Sequence, residues 1–88
     1  MDAKLVDKLI QRAERDFDGH LTILRFTTNW RVGFVTPDER ADIDGIPVGK
    51  TFEDATKAAL AMSTAEHWKK IQDARIHFWQ NLRETGAA

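Results

Sequence analysis

The chain has 88 residues, 42% of them hydrophobic and 31% charged, with a formal net charge of −1. That is one domain's worth of sequence with enough apolar material for a core, which excludes a disordered polyelectrolyte and a second folded unit. Cysteine is absent, which removes disulfides, thiolate metal sites and thiol nucleophiles, and with them the staples on which small secreted domains rely.

No apolar run approaches the roughly 18 residues that a membrane span requires. The first eight residues are charged from the start and form no apolar leader. A cytoplasmic location without a membrane partner is therefore expected. Asp38, Glu39, Asp42, Asp44, Glu53 and Asp54 gather in residues 37–54 against Arg40 and Lys50. Such a cluster reads as a solvated acidic face, and the chain lacks the basic stripe that nonspecific nucleic-acid binding uses.

Residues 1–18 read as a helix, because Leu5, Val6, Leu9, Ile10, Ala13 and Phe17 recur at helical spacing. Asp2 supplies an N-cap and Gly19 a stop. Residues 20–35 read as a β-hairpin connected at Thr28-Asn29. Trp30, Val32 and Phe34 alternate with Arg31, Gly33 and Val35, so the aromatic face should centre the core and Arg31 should face water. The first strand, apolar on both sides, is open to being covered on both.

Residues 36–50 form a connection too long to be structureless. Thr36-Pro37-Asp38-Glu39 is a helix-start signal, predicting a turn or two over 37–41. Asp44-Gly45 then turns the chain, and Ile46-Pro47-Val48 is a short edge segment able to add a third strand. A helix follows over 51–62, capped by Thr51, with Phe52, Ala55, Ala59 and Met62 on one face. Ser63-Thr64-Ala65-Glu66 repeats the cap signal, and Trp68, Ile71, Phe78 and Leu82 make a second stripe over 64–85. Prolonging the first stripe would bury Glu66, which favours two helices broken near Ser63 over one bent helix. The expected fold is α+β: an N-terminal helix, an antiparallel hairpin with or without a short third strand, and two C-terminal helices packed on one face.

Gly45-Ile46-Pro47-Val48-Gly49-Lys50-Thr51 approaches a phosphate-binding loop, but its first glycine is one residue too close and Asp44 occupies the required position. Turn formation and helix capping explain it better. Asp42-Ile43-Asp44-Gly45 resembles part of a calcium loop, yet Arg40 and Thr51 stand where its first and last ligands belong. His67 and His77 lie roughly 80° apart in projection and about 15 Å apart along one helix, too far to share an ion, and His20 sits at a strand start beside Asp18. No catalytic, cofactor or metal residues are assigned, and no enzyme activity is expected.

The last helix carries the informative oddity. Taking Ile71 as the centre of its buried stripe, Trp79 projects roughly 80° and Ile76 roughly 140° to one side. An apolar margin of this kind on a terminal helix points to a contact surface. Ile76, Trp79, Arg75 and Arg83 are the candidate interaction residues. Arg75 either reaches water or a carboxylate from an apolar surface or reads an acidic partner, and Lys69 and Arg83 flank the patch, within reach of Glu66 or Glu84 of a second copy.

Two resemblances extend this reading. Trp30-Arg31-Val32-Gly33-Phe34 followed by the stretch from Gly45 to Ala55 resembles short uncharacterised bacterial or phage-associated proteins, over about half of the chain. Locally, Gly49-Lys50-Thr51-Phe52-Glu53-Asp54-Ala55 is similar to the helix entry of HicB-like antitoxin domains, in which a sheet precedes the helix and the partner is a toxin. This chain departs from them by its long first helix and by lacking a clear third strand, and no binding residues are carried over. The expected function is a non-catalytic accessory or protein-interaction domain that self-associates in a bacterial cytoplasm. The alternative is a small nucleic-acid-binding or antitoxin-like regulatory module, using Arg25, Arg31, Lys69 and Lys70.

Overall fold

The computed structural model describes the backbone of residues 2–84 and the side chains of residues 2–82. It is an α+β domain: helix α1 (Ala3–Asp16), strands β1 (Thr22–Arg25) and β2 (Trp30–Gly33), a 3-10 helix (Arg40–Gly45), strand β3 (Val48–Gly49), and helices α2 (Phe52–Ala61) and α3 (Thr64–Glu84). The three strands form one antiparallel sheet in the order β1-β2-β3.

Local chemistry accounts for the element ends. The Asp2 carboxylate accepts from the Lys4 amide and starts α1. At its other end Asp18 (φ 56°) and Gly19 (φ 84°) turn back through left-handed conformations, and the Gly19 amide bonds the Ala13 carbonyl. Thr51 Oγ1 accepts from the Asp54 amide at 3.1 Å and caps α2. Ser63 and Glu66 bond each other's backbone amides and restart the chain as α3, so the break expected near Ser63 is present.

Register separates the two faces of the sheet. Ile23 lies opposite Val32, and this face, with Trp30 and Phe34, meets α1 and α2. The buried core comprises Leu9, Ala13 and Phe17 from α1, Val32 and Phe34 from the sheet, and Phe52, Ala55 and Ala59 from α2. Helix α3 joins it through its first turn: the His67 ring stands edge-on to the stacked Phe17 and Phe34 rings. The ring is buried and bonds the Ala59 carbonyl at 2.9 Å. As hydrogen-bond donor it carries its proton on Nε2, and burial, helped by the nearby Arg12 charge, lowers its pKa. Arg12 donates to the Leu60 and Met62 carbonyls, so a cation and a neutral ring together satisfy the C-terminal end of α2.

Several expectations need correction. Trp30 is only half-buried, edge-on to Phe52 at the rim; the fully buried centre is Phe34, Val32 and Leu9. Arg31 does not face water. Its guanidinium donates to the carbonyls of Ile43 and Ile46 at 2.9 and 2.7 Å, because the 3-10 segment folds back over that side of the sheet. The hairpin turns at Thr27-Thr28, one residue earlier than expected, with the Phe26 amide bonded to the Asn29 carbonyl. The helical turn in the long connection begins at Arg40 rather than Pro37, because the Asp42 carboxylate collects the Asp38 and Glu39 amides and sets the start there.

Candidate interaction surface

Helix α3 is held by the 3-10 helix more extensively than by any other element. Gly45 makes the approach close: a β-carbon there would lie 2.6 Å from the Lys70 carbonyl oxygen and 2.9 Å from the Ile71 α-carbon. Ile71 is buried over this contact, with Ala74 and Phe78 half-buried beside it.

A charged clamp fixes the register. Asp42 is fully buried, and Arg75 grips it through Nε at 2.5 Å and Nη2 at 2.8 Å. With the Asp38 and Glu39 amides, the carboxylate accepts four hydrogen bonds. The Arg75 bonds above all, then those amides, outweigh the cost of burial and lower the Asp42 pKa to about 2. Arg75 also lies within 4 Å of the Asp38 and Glu39 carboxylates. The arginine singled out from sequence thus binds a carboxylate of its own chain, one that sequence reading had left in solvent.

One flank of α3 is uncovered. Trp68, Ile76 and Trp79 are 50%, 56% and 55% exposed. Helical geometry places them, with exposed Ala65 and Gln72, in an arc of about 80°, centred roughly 100° from Ile71. Trp68 therefore belongs to the outward stripe and not to the buried one. Its projection lies only about 20° from that of Trp79, a signal already present in the sequence. Other exposed large apolar residues, Ile10, Phe26 and Val48, lie singly on three different elements, as is ordinary for a soluble surface. A cavity of about 390 Å³ borders the stripe between Glu39, Arg75, Ile76, Trp79 and Gln80.

The remaining singled-out residues have identifiable positions. The Arg25 guanidinium lies over the Trp30 ring at 5.3 Å, and Arg31 is committed to backbone carbonyls as described. Lys69 and Lys70 are exposed on α3. The Arg83 side chain lies outside the described residues. A hollow of about 630 Å³ is an open trough along another flank of α3, where Lys69, Lys70 and Asp73 mix charge of both signs and His77 pairs with Asn81. His20 lies 3.5 Å from the Thr36 hydroxyl on the surface. Among the described residues no group of three or more His, Asp or Glu side chains is placed to hold a metal ion, and no helix is long and apolar enough to cross a membrane. Gly49 packs against the start of α2 and Thr51 caps it, so the near-phosphate-loop stretch has structural duties. Comparison with protein-family models, with curated proteins and with solved structures gives no match.

Proposed function

We propose that this chain is a non-catalytic protein-interaction domain of the cytoplasm that self-associates, and that the outward face of α3 is its contact surface. One observation carries the reading: three large apolar side chains, each at least half exposed, share one face of a helix whose other face is already engaged. Contiguous apolar patches of this kind mark interaction sites, whereas isolated ones do not. Tryptophan is among the residues that concentrate binding energy at interfaces. The clamp between Asp42 and Arg75 supports the reading further. It holds the helix to the domain from the side and presents the stripe on a rigid support, so little ordering has to accompany binding.

Sedimentation of the wild type and of Ile76→Glu at about 100 µM, where a micromolar complex is well populated, tests this. The wild type should sediment as a dimer and the variant as a folded monomer. A wild type at 10.1 kDa throughout would overturn the proposal.

A further inference from the structure

The outward stripe is centred on Gln72 in a way that suits a copy of itself. Trp68 and Ile76 lie four residues before and after Gln72, and Ala65 and Trp79 lie seven before and after. A two-fold axis through Gln72 reverses the second helix and brings residues equally far on either side together. Trp68 then stands level with Ile76 of the second copy and Trp79 level with its Ala65, and each pairing occurs twice. Large side chains fall opposite smaller ones. A parallel pair would instead set Trp on Trp and Ala on Ala.

Charge follows the same symmetry. In an antiparallel pair about such an axis, like flanks of the two helices face each other. Lys69 and Asp73 both lie on the flank beyond Ile76 and both are exposed. The axis brings Lys69 of one copy to within about 3 Å, along the helix, of the level of Asp73 of the other, and the reverse pair forms as well. The two domain bodies lie on the same side of the helix pair, since each is carried on the Ile71 flank and like flanks face each other.

The exposed parts of Trp68 and Trp79 amount to ~125 Å² each and that of Ile76 to ~100 Å², so two copies bring together ~700 Å² of apolar surface. That area alone lies below the roughly 1,000 Å² that a specific interface clears, so Ala65, Gln72 and the Lys69 and Asp73 flank have to supply the rest. We infer that two copies of this chain pair antiparallel through α3, with the two-fold axis at Gln72. The inference rests on the self-association proposed above and specifies its register.

The cysteine-free chain permits a direct test with single-cysteine variants. Gln72→Cys places two thiols on the axis, where a disulfide can close. Gln80→Cys, also at an exposed position, lies about 12 Å from the axis, leaving its two copies about 24 Å apart along the helices. Under mild oxidation, with circular dichroism confirming that both variants fold, Gln72→Cys should run as a covalent dimer on a denaturing gel and Gln80→Cys as a monomer. A wild type that sediments as a dimer while Gln80→Cys traps, or neither variant does, would overturn the register and leave self-association standing. A wild-type monomer with neither variant trapped would overturn both.

Discussion

Replacing Asp42 by asparagine keeps the shape of the side chain and removes the charge that Arg75 grips. The carboxylate has no solvent contact and accepts from Arg75 Nε, Arg75 Nη2 and the Asp38 and Glu39 amides. An asparagine amide has one oxygen for these four donors and turns its own NH₂ toward the others. Losing charge-assisted bonds at a buried site costs about 2–3 kcal/mol, below the value for a stranded ion because Asp38 and Glu39 still neutralise Arg75. The acid dependence gives an independent magnitude. A folded-state pKa of about 2, against the ordinary 3.8, corresponds to about 2 kcal/mol of stability. Because the folded pKa is depressed, that stability is present above the ordinary value and is lost as pH falls through about 2. Urea unfolding of wild type and Asp42→Asn at a series of pH values reads both quantities. The variant should be less stable by about 2–3 kcal/mol at neutral pH, and the gap should narrow as the medium approaches pH 2. A neutral-pH difference under about 0.5 kcal/mol, or one that does not change with acid, would refute the clamp as the fastening between the 3-10 helix and α3.

Two further substitutions probe α2. Thr51→Ala should lower stability by about 1 kcal/mol and Thr51→Asp should leave it nearly unchanged, read by urea unfolding, because the side-chain oxygen caps the Asp54 amide. Thr56 is fully buried and its hydroxyl has no hydrogen-bond partner among the described residues; Thr56→Val should therefore raise stability by about 1 kcal/mol, seen as a higher Tm.

Local signals were legible where local chemistry decides the outcome. The caps at Asp2, Thr51 and Ser63, the stop at Gly19, and the order of helices and strands all follow from residues within a turn of one another. The hairpin turn slipped by one residue because Thr27, Thr28 and Asn29 offer no glycine to mark it. Errors of a different kind came from contacts across the chain. Arg31 reads as a wet-face residue by alternation, and only the return of the 3-10 segment over the sheet gives it carbonyl partners. Asp42 reads as one of many solvated carboxylates, because the arginine that buries it is 33 residues away. Trp68 was assigned to the buried stripe because a tryptophan near an apolar run invites burial; its angular position already set it beside Trp79. The patch at Ile76 and Trp79 was visible from helical projection alone, since few faces of α3 can touch the domain at once.

The three tryptophans give the central claim its most direct measurement. Trp68 and Trp79 lie on the proposed contact face, while Trp30 stands edge-on to Phe52 at the rim of the core. Each has one indole N–H, so a ¹H–¹⁵N spectrum followed by dilution from about 1 mM to about 10 µM, spanning a micromolar equilibrium, carries three internal reporters. The Trp68 and Trp79 indole signals should move with concentration while that of Trp30 stays fixed. Signals that do not move, or changes centred on Trp30 and the β1 edge with Trp68 and Trp79 unaffected, would contradict the account.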